Sequence, residues 1–194
     1  MCIRDSFVRE AFLSGLGLEA VEFRKTHTKV RDNHLNNLLS KAAQAIQKSG
    51  IAKASPGAHL KGKNLLSFKR GKDIYLTKAA CAGCHGADGD GLDNLGPPLD
   101  QSEWVTKSPE RLTKILLHGM TGALTVNGKK YTPTLPMPGL HQNKSITDQD
   151  LADVMTYIRN SWNNKASPIT ADLVKKTRAA TANQGQPYQA KDLE

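Results

Sequence analysis

Apolar residues recur at helical spacing in several separate stretches of this chain, and the stretches between them are punctuated by Gly, Pro and Asn. Phe7, Val8, Ala11, Phe12 and Leu16 form a first short helical pattern that Gly15 and Gly17 end. Leu35, Leu38, Leu39, Ala42, Ala43 and Ile46 form a clearer stripe, with Asp32 as its N-cap and Gly50 as its stop. LLSFKRGKDIYLTKAA, beginning at Leu65, predicts a third helix. SPERLTKILLHG predicts a fourth, with Ser108 as cap, Pro109 at the first helical position and Glu110 in the first turn. TDQDLADVMTYIRNSW predicts a fifth, capped by Thr147 and striped by Leu151, Val154, Met155 and Ile158. A short helix in TADLVKKTRAATA precedes a polar end. Asn127-Gly128 lies between short β-prone runs in ALTVNGKKYT and predicts a two-residue hairpin.

These elements divide the chain. Residues 7–50 read as a helical remnant, the end of a larger array or an extension folded onto the next domain. Residues 51–64, IAKASPGAHLKGKN, have no periodicity and read as a linker. A mainly α domain covers 65–163, and 164–194 form a C-terminal tail. No run of eighteen apolar residues occurs, so no membrane-spanning segment is predicted.

Charge changes the picture little. The formal net charge is +9, but residues 1–64 carry 11 Lys/Arg against 5 Asp/Glu, while 65–194 carry 16 against 13. The basic residues are scattered singly without interleaved aromatics, which describes a solvated surface and no nucleic-acid partner.

The cysteines are Cys2, Cys81 and Cys84, which is no disulfide framework. The latter two stand in CAGCH, residues 81–85. A structural zinc site needs a second ligand pair that the chain lacks. A redox dithiol of the thioredoxin type needs a strand before the motif, and here a helix precedes it. In C-x-x-C-H the two thiols form thioethers with the vinyl groups of one haem, and the histidine ligates its iron. His85 is the proximal ligand on this reading.

With Gly71 and Tyr75 in the leading helix, CAGCHGADGDG, GPPL at 96–99, Met137-Pro138 and the closing DLADVMTYIRNSWNN helix, residues 65–163 resemble a class I c-type cytochrome domain. The resemblance implies that fold with a small β-hairpin insertion, one covalent haem c and electron transfer. It implies that the Pro97 carbonyl accepts the His85 Nδ1 proton. It also implies a crossing of the first and last helices in which Gly71 or Tyr75 meets Tyr157.

For the sixth ligand, Met155 lies on a core stripe, while His118 and Met120 sit at a helix end. Met137 sits in the proline-stiffened YTPTLPMPGL, where the family's distal methionine lies, and is the favoured ligand; His141 or an open position is the alternative. An open or displaceable position would make the domain a haem enzyme or a small-ligand binder. Trp104 either packs on the haem edge, donates its N–H to a propionate, or is plain core. The hairpin either shields the haem or is an insertion.

MCIRDS at 1–6 resembles a translated sequencing adapter, whose nucleotides would read ATG TGT ATA AGA GAC AG, so a signal peptide is expected to have been lost upstream. The chain then resembles the C-terminal end of large exported bacterial proteins that combine a sugar-dehydrogenase-like propeller, HEAT-like repeats and a cytochrome c domain. That resemblance implies a periplasmic location. The partner is then an upstream quinone-dependent dehydrogenase domain or a separate redox protein.

Overall fold

A close backbone crossing organises the domain. In the computed structural model, which describes residues 56–194, helix α1 (Gly62–Leu76) packs against helix α5 (Asp148–Ile158) at Gly71. A Cβ on Gly71 would lie 2.6 Å from the Asp153 carbonyl carbon and 2.8 Å from Tyr157 Cβ, so only glycine admits this approach. Both aromatics named for the crossing take part: the Tyr75 and Tyr157 rings stand 5.3 Å apart, and Phe68 joins Tyr157 at 5.2 Å. Leu151, Val154, Met155 and Ile158 are all buried, as the stripe predicts. The charge in this interface is well served. Asp153, buried, accepts from Ser67 Oγ at 2.6 Å, Arg70 Nε at 2.5 Å and Nη2 at 3.0 Å, and Gln149 Nε2 at 2.8 Å.

Between these helices lie two single turns, α2 (Ala82–His85) and α3 (Glu103–Thr106), and a full helix α4 (Pro109–His118). The predicted caps are in place. Ser108 Oγ accepts from the Arg111 N–H at 3.2 Å, and Thr147 and Asp150 form a reciprocal capping box at the start of α5. Strands β2 (Leu124–Val126) and β3 (Lys129–Tyr131) form the predicted hairpin, with Val126 opposite Lys129. Asn127 and Gly128 both take positive φ, 50° and 75°, as the two-residue turn requires.

Three features depart from the sequence reading. The domain's packing reaches back before Leu65, into the stretch read as linker. The Gly57 N–H donates to the Asn160 carbonyl at 3.0 Å, and a turn with Gly57 at φ +74° delivers Leu60 into the core. A second ladder pairs β1 (Gly119–Met120) with β4 (Met137–Pro138), antiparallel, with Met120 opposite Met137. The tail is packed: α6 (Ala171–Ala180) buries Val174, and a 3-10 turn at Ala190–Asp192 follows. Buried Arg159 ties the tail down by donating to the Ser167 carbonyl at 2.8 Å and Ser167 Oγ at 3.0 Å.

The apolar interior has two parts. The larger surrounds α1, α5 and Leu112, Leu116 and Leu117 of α4. The smaller gathers Trp104, Ile115, Met120, Leu124 and Val126. The adapter-like residues 1–6, the helical patterns over 7–50 and the first part of the linker lie outside the described residues.

Candidate functional site

The CAGCH turn is placed by the end of α1. The Ala79 N–H donates to the Ile74 carbonyl at 2.9 Å, and Ala80, in the left-handed region at φ 50°, turns the chain into α2. At the far end of α2 the buried Tyr75 hydroxyl donates to the Gly86 carbonyl at 2.5 Å. Burial raises the Tyr75 pKa well above the ordinary phenol value, which keeps the hydroxyl protonated as donor. One helical turn therefore stands clamped at both ends. Its i, i+3 spacing puts Cys81 and Cys84 on one side of the turn.

Cys81 is half-buried, Cys84 is exposed, and both thiols are free. Burial pushes the Cys81 thiol up to about 11. A reactive dithiol needs a lowered pKa, so this environment does not suit thioredoxin-like exchange. Among the described residues no three His, Cys, Asp or Glu side chains gather as a metal site, which leaves zinc without a ligand set.

His85 is buried, and its Nδ1 lies 2.8 Å from the Pro97 carbonyl oxygen. A carbonyl can only accept, so Nδ1 carries the proton and Nε2 the lone pair. Burial, partly offset by the Pro97 bond, lowers the His85 pKa and keeps the ring neutral. The loop after α2 is folded tightly to make this contact. The Gly91 N–H donates to the His85 carbonyl at 3.0 Å, and Leu92 and Gly96 exchange backbone bonds at 3.0 and 3.1 Å. Gly96 lies so close that a Cβ would sit 2.8 Å from the Cys84 carbonyl and 3.0 Å from His85 Nδ1.

Met137 stands elsewhere in the chain and packs against the same core cluster as the CAGCH turn. Cys81, Ala82, Leu99, Met137 and Leu140 are all partly buried residues packed against the larger core cluster. Met137 touches the smaller cluster as well. Gly119, at φ 82° and paired with Pro138, approaches the Met137 carbonyl too closely for any side chain. Three of the other ligand candidates are engaged. Met155 is fully buried, and its sulfur accepts from Thr113 Oγ1 at 3.6 Å. His118 Nε2 meets Thr181 Oγ1 at 2.7 Å, and His141 Nδ1 donates to the Leu117 carbonyl at 3.0 Å.

Trp104 Nε1 donates to the Thr125 carbonyl at 2.8 Å, and the Arg111 guanidinium covers the ring at 4.4 Å. The indole N–H that was a candidate propionate donor is thus bonded to the hairpin, which it pins to α3. The sequence reading missed the Tyr75 clamp and the β1–β4 ladder. A tyrosine four residues after the crossing glycine was the available signal for the first; the second, two residues long, left none.

The family profile of cytochrome c matches residues 68–162. Cytochrome c-552 of Thermus thermophilus is 35% identical over 129 residues, 62% of this chain and 82% of that protein. The chain belongs to the cytochrome c family. This cytochrome c is also 39% identical over 111 residues to the cytochrome c subunit of alcohol dehydrogenase (quinone) from Gluconacetobacter polyoxogenes. That match covers 56% of this chain and 22% of the relative, so the chain spans about a fifth of that subunit. The gluconate 2-dehydrogenase cytochrome c subunit of Pantoea cypripedii is 31% identical over 120 residues, 59% of this chain and 26% of that protein. The cytochrome c family implies haem c, and the residues fit it: two free thiols on one turn and a buried imidazole whose Nδ1 donates to Pro97, leaving the lone pair on Nε2. No helix among the described residues is long and apolar enough to cross a membrane.

Proposed function

We propose that this cytochrome c carries one haem c, bound covalently through Cys81 and Cys84 with His85 and Met137 as axial ligands, and that it transfers electrons. The observation that carries the reading is the His85 Nδ1 to Pro97 carbonyl bond at 2.8 Å, on a clamped turn that also bears both thiols. That bond fixes the tautomer and ring direction a proximal ligand needs. Bound haem supplies a one-electron couple, and a thioether opposite the imidazole favours the reduced iron. Met137 has the right character for it: half-buried, packed against the same core cluster as Cys81, and held in a short extended ladder.

The donor is a dehydrogenase, quinone-dependent as the name of the alcohol dehydrogenase (quinone) relative suggests, and the gluconate and fructose dehydrogenase names suggest a dehydrogenase donor as well. Covalent haem attachment belongs to exported proteins, which puts this module in the periplasm.

The test is expression with haem c maturation. Chromophore retained on denaturation, and a near-infrared methionine–iron charge-transfer band that M137A abolishes, are the expected results. Chromophore lost on unfolding overturns the covalent attachment. Ready carbon monoxide binding by the reduced, unmodified protein overturns the sixth ligand and supports a small-ligand binder. Reduction by a quinone-dependent dehydrogenase fed its substrate checks the donor.

A further inference from the structure

The C-terminal tail is built into the strand system that holds Met137. The Tyr188 N–H donates to the Gly119 carbonyl at 3.1 Å, and the Thr121 N–H donates to the Tyr188 carbonyl at 2.8 Å. Met120 therefore pairs in parallel with Tyr188 and, antiparallel, with Met137. β1 is the middle of three chains, with the tail on one edge and the methionine strand on the other.

The tail is fastened on both sides of that contact. Before it, Thr181 Oγ1 meets His118 Nε2 at 2.7 Å, and Arg178 Nη1 donates to the His141 carbonyl at 3.0 Å while Nε donates to Asp148 at 2.9 Å. After it, Ala190 and Leu193 pack against the cluster of Trp104, Ile115, Met120, Leu124 and Val126. The Tyr188 ring stands edge-on to His118, centroids 5.9 Å apart.

We propose that the Tyr188 segment is a positioning element for Met137, keeping its thioether in place through β1. The inference rests on the reading of Met137 as the axial ligand. A two-stranded pair is marginal by itself in water, and this one spans only two residues on each side. Pro138 has no N–H to give, so β4 contributes less than an ordinary strand. Without the tail, the Gly119 carbonyl and Thr121 N–H lose their partners and the edge of β1 opens. β4 would then move with it, because Gly119 touches the Met137 and Pro138 backbone directly.

The experiment uses the haem-loaded protein and reads competition between the methionine and added imidazole. Tyr188→Pro removes the N–H that bonds Gly119, and a second variant ends after Gln186. Both are expected to keep covalent haem, to bind imidazole about tenfold more tightly than wild type, and to weaken the near-infrared band. Tenfold is the scale that losing one or two backbone hydrogen bonds supplies. Tyr188→Phe keeps the backbone bonds and is expected to behave as wild type. Unchanged imidazole affinity and band in both disrupted variants, beside an M137A protein that does change, overturns this inference alone. An M137A protein with unchanged band and imidazole affinity overturns the ligand reading and this inference with it.

Discussion

Gly71→Ala measures how tightly the α1–α5 crossing is set. The added methyl would lie 2.6 Å from the Asp153 carbonyl carbon, where ordinary contact begins at 3.4 Å, so the helices must part by about 0.8 Å or more. Little in the interface can yield. The nearest atoms are backbone, Asp153 is held by Ser67, Arg70 and Gln149, and Tyr157 is stacked by Phe68 and Tyr75. Overpacking of this kind costs about 1–3 kcal/mol, and loosening the bonds to a buried carboxylate adds to it. Against that, alanine gains about 1 kcal/mol over glycine inside a helix. The expected net loss is about 2–4 kcal/mol in urea unfolding followed by far-ultraviolet circular dichroism, at equal haem content. Gly185→Ala is the control, since a Cβ there meets nothing within 4 Å, and should stay within about 0.5 kcal/mol of wild type. A G71A protein as stable as wild type would show that the crossing tolerates separation, and the close approach would not define the fold.

Two further outcomes follow from single contacts. Trp104→Phe leaves the Thr125 carbonyl without its indole donor and should cost about 1–3 kcal/mol, with the midpoint potential of the haem unmoved; a clear shift in potential would restore the propionate reading. The His118 pKa is lowered, first by burial and then by the neighbouring His141. The unfolded chain therefore takes up that proton before the folded one does. Stability from neutral His118 is present above about pH 6.5 and is lost as pH falls below it toward the folded pKa. The urea midpoint of wild type should therefore fall relative to that of His118→Phe on acidification through that range, and midpoints that move in parallel would contradict the argument.

What could be read along the chain was what neighbouring residues encode. Ser108 with Pro109, Thr147 with Asp150, and Asn127-Gly128 each specify their turn or cap within four positions, and the structure has all three. CAGCH is local in the same sense. Contacts that join distant residues left weaker traces. The Trp104 N–H finds its acceptor 21 positions away, in a hairpin whose placement no periodicity states. β1 and β4 are two residues long, too short for any alternation to register. Beyond its predicted helix the tail reads as polar, because its ties to β1 are backbone bonds at Gly119 and Thr121, which side-chain identity does not signal. Leu60 is buried although its surroundings, rich in Pro, Gly and Lys, read as linker, because one turn at Gly57 is enough to deliver it.

The crossing at Gly71 also carries a consequence for the order of assembly. Ser67 and Asp153, which meet there, are 86 residues apart in the chain. Closing a loop of that length costs about 4 kcal/mol of chain entropy before any contact rewards it. The closure waits for α5, the last helix of the crossing to emerge in synthesis, and α2 is clamped by Tyr75 of the helix that α5 locks in place. Until then the thiol of Cys81 lacks the cover it has in the finished fold. The contact that covers Cys81 in the finished fold is thus among the last to form, and the CAGCH turn stays open until helices α1 and α5 meet.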